Sequence, residues 1–562
     1  MFDIKSYIKE EINKVGIDLN NVDIVRPPKE NMGDFALPCF TLNIDGCNNP
    51  HEKAEKVLQM INLEEDIISE VNVIGPYLNF KVNKDFIATN TLTTIMQEKE
   101  KYGSSHEGEG RDLLIEHTSI NPNASPHIGR TRNSIIGDFL VNLYKFQGYN
   151  VETHYFINDI GKQISMLLVG VEDKFSDLSE VTFEDMLALY VDINEKSKEN
   201  PAIEKKVFNY LNELENGNTL VREKFKNITD ICVNGQKEIF AKMNINWDVF
   251  KHESDFVFEK TTDDILNKLK DLGKLKEDEN GRYYVDLSGY DIPTKSPVLV
   301  LTREDKTSLY PLRDIAYTIY KESINSDNNF IVLGEDQEVY MQQIAAVMDI
   351  MGYKAPKLVS YNFVLLNGDK MATREGKVVL LEDFIKEAKK KIQEGFEERN
   401  SEYDDEKVSS IASSCIKYSM LNVNRKRNVN FNLDEAVNFQ GDSAMYLLYN
   451  YARICSILNK TEKENIDVDT IKFKEDLEHS LISSLYDFPE IIKCASDTQE
   501  SVGVTGYLHD VSQKFSKYYK MIPILSENDE MIRNSRLILL KCTRTVLENA
   551  MNVLGIKPTK KL

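Results

Sequence analysis

Apolar positions along the chain change rhythm from one region to the next. The chain opens, Met1-Phe2-Asp3-Ile4-Lys5, on a charged amphipathic helical pattern. Residues 1 to about 95 mix such helices with short alternating runs at 71–74 and 77–82 that predict strands. A charged, glycine-dotted stretch at 98–110 predicts a linker. A β-like run at 113–116 is followed by a polar, proline-containing loop and a helix over about 129–144. Residues 163–243 are helical in period, with many charges and few turn signals. Strands are predicted within 283–301 and at 330–334, with a helix near 337–351. From 405 onward the pattern is helical almost throughout. Strands alternating with helices in the middle predict a parallel α/β sheet, and the tail predicts a helical bundle.

Composition narrows this. At 562 residues the chain is too long for one core, and 41% hydrophobic residues exclude wholesale disorder. The strongest apolar run, 297–301, is strand-sized and far from the ~20 residues of a membrane helix. The opening lacks a signal-peptide core, and the seven cysteines stand singly, without a C-x2-C pair. The expectation is a cytoplasmic multidomain protein with no membrane partner, no disulfide framework and no protein-held metal. The net charge of −22 taken whole argues against a polyanionic partner. Yet residues 401–562 hold 21 basic and 23 acidic side chains, against 48 and 68 in 1–400. The last third is nearly neutral, with local basic spots at Arg425-Lys426-Arg427 and at Lys557, Lys560 and Lys561.

Candidate chemistry begins at Ile115-Glu116-His117-Thr118-Ser119-Ile120-Asn121-Pro122-Asn123-Ala124-Ser125-Pro126-His127-Ile128-Gly129-Arg130. A helix N-terminus directly after a parallel strand offers N–H groups and a positive dipole end to phosphates. His127 and Arg130 add donors, and Gly129 permits close approach. An isolated H-x-G is most often only a turn. This one is followed by Ser134-Ile135-Ile136-Gly137-Asp138 and Tyr155-Phe156-Ile157-Asn158-Asp159-Ile160-Gly161-Lys162-Gln163. The run resembles the HIGH region of class I aminoacyl-tRNA synthetases, and within them the arginyl-tRNA synthetases. Arg130 stands where the family has its second histidine, keeping a cation but not a ring that can stay neutral.

Recognising a guanidinium needs carboxylates set against it. Leu309-Tyr310-Pro311-Leu312-Arg313-Asp314 places Tyr310 and Asp314 four apart, on one helix face. The stretch is similar to the family's Y-x-T-R-D element, whose Tyr and Asp line the guanidinium pocket; here proline follows the tyrosine. By the same resemblance, Glu253 supplies a further guanidinium-facing carboxylate and Gln337 an amino-acid-binding amide. Glu116, Ser119 and Asn121 match residues that hold the amino acid's backbone end.

Asp369-Lys370-Met371-Ala372-Thr373-Arg374-Glu375-Gly376-Lys377, before a strand-like 378–380, resembles the KMSKS element as this family writes it. The resemblance implies that Lys370, Met371, Arg374 and Lys377 serve ATP. The second lysine of that element is absent, so Arg374 or Lys377 must take its place. Ala124 stands where some arginyl enzymes carry a compensating lysine.

Toward the C-terminus, Tyr446, Tyr449, Tyr451 and Arg453 lie on a helical pattern that could stack on unpaired bases or form plain bundle core. The stretch Tyr449-Asn450-Tyr451-Ala452-Arg453-Ile454-Cys455-Ser456-Ile457 resembles the start of the family's anticodon-binding domain. Met32-Gly33-Asp34-Phe35-Ala36 resembles a segment of its added N-terminal domain, implying that Gly33, Asp34 and Phe35 touch tRNA.

The resemblance implies a Rossmann-type doubly wound catalytic domain over 110–400 with a helical insertion at about 165–240. It also implies an α+β N-terminal domain over 1–100 that contacts the tRNA elbow, and an all-helical anticodon-binding domain over 405–562. The implied activity is an arginine–tRNA ligase using ATP with Mg2+, acting as a monomer on L-arginine and tRNA(Arg). Activation of arginine is expected to require bound tRNA. Two other readings stay open from the residues: a weakened paralogue acting as an RNA-binding regulator, or an arginyl ligase dedicated to a special tRNA.

Overall fold

The computed structural model describes residues 2–29, 32–324, 328–366, 369–370, 379–399, 401–438, 441–461 and 471–562, with only the backbone at 366, 369 and 370. The first part holds α1 (Ile4–Lys14), β1 (Phe35–Pro38), α2 (Pro50–Met60), β2 (Ile68–Ile74), β3 (Tyr77–Val82) and α3 (Lys84–Glu98). Asp3 caps α1 by accepting the Lys5 and Ser6 N–H groups, which fixes where the opening helix starts. The three strands form an antiparallel sheet in the order β1-β3-β2. The segment after α3 differs from a free linker: Tyr102 is fully buried and its hydroxyl donates to the Leu485 carbonyl (2.8 Å). An aromatic side chain with a partner for its hydroxyl gains too much by burial to be left in solvent.

The middle contains β4 (Asp112–Glu116), α4 (Ile128–Phe146) and β5 (Asn150–Ile157). The helices α5 (Lys162–Lys174), α6 (Phe183–Glu199), α7 (Pro201–Glu215) and α8 (Thr219–Ala241) follow, then β6 (Val249–His252). Next come α9 (Glu253–Phe258), α10 (Thr261–Asp271), β7 (Leu275–Glu277), β8 (Tyr283–Asp286), β9 (Val298–Val300) and α11 (Tyr310–Ile324). β10 (Asn329–Gly334), α12 (Glu338–Ile350), β11 (Lys357–Tyr361), β12 (Val364–Leu366) and β13 (Asp369–Lys370) precede α13 (Leu381–Glu398). The sheet β11-β10-β4-β5-β6 is parallel at every pairing. The chain winds outward from β4 through β5 to β6, then returns to β10 on the other side. This is a doubly wound Rossmann-type order, whose ligand crevice opens where direction reverses, at the carboxyl ends of β4 and β10. The strand-like 378–380 does not become a strand among the described residues. Leu380 makes an isolated bridge to His127 and then caps α13, whose buried Leu381, Phe384, Ile385, Ala388, Ile392 and Phe396 impose the helical period.

The last part is α14 (Asp405–Leu421), β14 (Val429–Phe431), α15 (Leu433–Ala436), α16 (Ala444–Leu458), α17 (Asp476–Thr498), α18 (Val502–Met521) and α19 (Glu530–Val553). The tail expected to be helical almost throughout also holds β14, which pairs in parallel with β12. One apolar core runs from Leu113 and Ile115 through α4 and α13 into Val546 and Leu554. The helical tail is therefore packed directly against one face of the parallel sheet. The other face, under α11 and α12, has its own core. Among the described residues no helix is long and apolar enough to cross a membrane.

Candidate active site

Chemistry concentrates at the switch between β4 and β10. Directly after β4 the backbone enters the left-handed region at two successive non-glycine residues, Thr118 (φ 77°) and Ser119 (φ 43°). Such strain persists only where surrounding contacts over-determine it. Three sets of contacts do so. Asn133 of α4 accepts the Thr118 N–H (2.6 Å) and donates to the Val332 carbonyl of β10 (2.7 Å), tying the two sides of the crevice together. Ser119 Oγ accepts the Phe156 N–H (3.1 Å). Gln236 of α8 donates to the Asn121 (3.1 Å) and Ala124 (2.8 Å) carbonyls and accepts the Tyr155 hydroxyl (2.7 Å). The helical insertion thus ends in a residue that holds the loop leading to His127. The buried His117 packs on Trp247, and burial pushes its imidazole down to about 3, so it is neutral core.

His127 is the N-cap of α4, and no acidic residue sits in that helix's first turn to compete for an anion. Its Nδ1 is buried without a hydrogen-bond partner among the described residues. Burial, with the Arg130 charge adding to it, pushes the imidazole down to about 4, so at neutral pH the ring is an uncharged donor or acceptor. Arg130 is exposed and Gly129 is half-buried at the crevice. The Ile128 N–H donates to the Val379 carbonyl (3.1 Å), and the Leu381 N–H to the Pro126 carbonyl (2.9 Å). The chain at 379–381 is therefore zipped onto the loop that leads into α4. Met371, Arg374 and Lys377 lie outside the described residues, as does the Lys370 side chain.

The fold also gathers the carboxylates. Glu253, first residue of α9, is buried and paired with Arg313 of α11, whose other donors go to the Ser308 carbonyl (2.7 Å) and hydroxyl (3.2 Å). Its Oε2 is buried with no partner among the described residues. Burial pushes this carboxyl up to about 7, against the pull of Arg313. Asp314 accepts the Tyr340 hydroxyl, and burial raises its carboxyl to about 6. Tyr340 also packs against Tyr310, half exposed at the start of α11 (ring centroids 5.3 Å apart). Gln337 stands one turn before Tyr340, where it donates to Asp336 (3.1 Å). Glu116 is buried in an ion pair with Lys321, a partner that no local sequence signal foretells. Sequence reasoning named Arg313 in its motif without a role, and missed Tyr340, Lys321, Asn133 and Gln236. These residues meet the site only through tertiary packing.

At the tRNA-facing candidates the structure divides the set. Tyr449 is exposed, and the Arg453 guanidinium lies over it and over Tyr519, 4.5 and 4.9 Å from the ring centroids. Tyr446 is half-buried beside His509. Tyr451, one of the residues expected at tRNA, takes the other of the two readings: it is fully buried and donates to Glu548 (3.0 Å), so its ring belongs to the bundle core. Phe35 is likewise fully buried, stacked under Arg26. Asp34 accepts the Val82 N–H (2.8 Å), and a Cβ at Gly33 (φ 118°) would lie 2.9 Å from the Phe80 carbonyl. Phe35 therefore belongs to the sheet's core, whereas Gly33 and Asp34 are half-buried and line a groove shared with Lys81, Lys84 and Lys514.

Comparisons with known proteins follow this geometry. Residues 91–433 match the family model of the class I (R) tRNA synthetase catalytic domain. Residues 447–562 match the DALR anticodon binding domain, and residues 3–82 the arginyl tRNA synthetase N terminal domain. Curated relatives described as arginine–tRNA ligases include one from Methanococcus maripaludis, 32% identical across 99% of this chain and 98% of that one. Another, from Methanocaldococcus jannaschii, is 32% identical across 99% of both. The solved arginyl-tRNA synthetase of Thermus thermophilus shares the fold, with a TM-score of 0.80 over 100% of both chains at 23% identity. N-terminal sheet, catalytic core and anticodon-binding helices thus follow in that order along the chain, which belongs to the arginyl-tRNA synthetases of class I.

Proposed function

We propose that this arginine–tRNA ligase binds ATP over the start of α4 and arginine between α9 and α11, and joins them at the switch between β4 and β10. The observation that carries the pocket is a pair of carboxylates, the buried Glu253 with an unpartnered oxygen and the half-buried Asp314 held by Tyr340, near the starts of α9 and α11. A guanidinium supplies the charge and donors that such groups lack, and a smaller or neutral amino acid would leave them unpaired. Tyr310 closes the pocket's rim, while Gln337, Ser119 and Asn121 hold the amino acid's backbone end and Glu116 acts through Lys321.

ATP enters as its magnesium complex, the ion being part of the substrate. The arginine carboxylate attacks the α-phosphorus, a P–O bond forms as the bond to pyrophosphate breaks, and arginyl-adenylate remains. The neutral His127 ring, Gly129 at the helix start and Arg130 hold the phosphates. By sequence, Lys370, Met371, Arg374 and Lys377 face the departing pyrophosphate. A hydroxyl of the tRNA 3′-terminal ribose then attacks the carbonyl, AMP leaves, and the ester is formed. Positioning and charge stabilisation supply the catalysis, without a covalent enzyme intermediate. Tyr449, Arg453 and Tyr446 face tRNA(Arg). The reading is of a monomer that acts in the cytoplasm. ATP–pyrophosphate exchange tests this: exchange should require both arginine and tRNA. No exchange under any condition removes the enzyme reading and leaves RNA binding alone.

A further inference from the structure

Asp314, Tyr317, Thr318 and Lys321 share one face of α11, at the i, i+3, i+4, i+7 positions of helical neighbours. Lys321 is 1% exposed and pairs with Glu116, 5% exposed, at the carboxyl end of the central strand β4. Its ammonium lies 4.5 Å from the Tyr317 ring centroid, and the Tyr317 hydroxyl meets His154 Nδ1 (3.0 Å), whose other nitrogen faces Glu152 (2.6 Å). Charges accumulate here beyond what ligand binding alone explains. Three carboxylates, Glu116, Glu253 and Asp314, face two internal cations, Lys321 and Arg313. Asp159, behind Glu253, is held by His252 and Ser254.

We propose that Lys321 is a positioning residue for arginine recognition. By neutralising Glu116 it leaves Asp314 as the one uncompensated carboxylate of the pocket, matched to the single positive charge of a guanidinium. Arg313 does the same for Glu253. Without Lys321, two like charges would share a buried site, and one would hold its proton at neutral pH. The groups facing Asp314 already act in that sense: Glu116 raises its carboxyl, while the Tyr340 hydroxyl, Arg313 and Lys321 lower it. Tyr310 lies on its own helix and Glu253 on α9. In Lys321→Met the proton shared by Glu116 and Asp314 must leave before a guanidinium binds, so arginine affinity becomes pH-dependent through neutrality.

This inference rests on the pocket assignment, and the experiment separates the two. Arginine KM and kcat are measured in tRNA arginylation between about pH 6 and 8.5 for four proteins: the parent, Lys321→Met, Glu116→Gln with Lys321→Met, and Asp314→Ala. In Lys321→Met the pH below which KM climbs should move up by at least about one unit, with kcat at saturating arginine within about twofold. The doubly substituted protein, again with one net negative charge, should return the pH at which KM climbs to its parental position, whatever Glu116→Gln does to the absolute KM. An unshifted pH dependence in folded Lys321→Met, or one that stays shifted in the doubly substituted protein, overturns the proposal. If Lys321→Met does not fold, the doubly substituted protein decides alone, with the parental pH dependence supporting and a shifted one refuting. An unchanged KM in Asp314→Ala would instead sink the pocket itself.

Discussion

Replacing Asp314 by alanine perturbs the arginine site at its centre. The side chain sits on the first turn of α11, partly enclosed, with the Tyr340 hydroxyl on one oxygen and Glu253 and Arg313 as neighbours. Its loss leaves two carboxylates against two internal cations, so the pocket becomes neutral toward a substrate whose side chain is always charged. Removing one partner of a hydrogen-bonded ion pair shielded from water costs roughly 3–5 kcal/mol, or about 150- to 5,000-fold in affinity. Because the guanidinium is remote from the reacting carboxylate, the loss should fall on KM for arginine, with kcat at saturation changing far less. The assay is initial-rate tRNA arginylation with ATP and tRNA saturating and arginine varied, alongside a thermal melt that reports folding. KM within about threefold of the parent in a folded protein would refute the assignment, since a lost guanidinium partner costs far more than that.

The carboxyl of Asp314, raised to about 6 from 3.8, makes two pH statements. Arginine KM in the parent should be level above about pH 8 and climb as pH falls through about 7 and then 6, as Glu253 and then Asp314 take up protons. In the folded protein without arginine the sign reverses: a raised carboxyl contributes stability below the unfolded value that is lost as pH rises through about 6. Asp314→Asn should therefore melt higher than the parent near pH 8 and lose that advantage near pH 4, a scan of melting temperature against pH deciding the matter. His127→Ala should cost roughly a hundredfold in kcat/KM for ATP. Because burial holds the ring neutral above about pH 4, no inflection near pH 6.5 should trace to it. Arg453→Ala should weaken tRNA binding and lower the salt slope by about one without touching arginine KM, while Tyr451→Phe should leave tRNA affinity unchanged. A tRNA titration at several salt concentrations checks both.

Much of this architecture could be read along the chain. The apolar run at 113–116, the helix that follows it and the four-residue spacing of Tyr310 and Asp314 are local signals, and each appears where its periodicity put it. What local signals miss is who shares a core with whom. Tyr451 and Tyr449 look alike in sequence, yet one donates to Glu548 from inside the bundle and the other carries Arg453 on an exposed face. Phe35 reads as a contact residue within its motif but is pinned under Arg26. Tyr340 lies 26 residues from the carboxylate it serves, and Lys321 lies 205 from Glu116. Such partners are set by the crossing of α11 over the sheet, not by spacing. Net charge misleads in the same way. A total of −22 averages over the whole chain, whereas the helices around Arg453 belong to a nearly neutral third.

The central claim is that this site selects arginine and delivers it to its tRNA. Total tRNA should be offered to the purified protein with ATP and each of the amino acids in turn, and the acylated species identified. Arginine alone should be esterified, and only onto arginine-accepting tRNA. Acylation with lysine or another amino acid at a comparable rate, or none with arginine, would contradict a pocket built on Asp314 and Glu253.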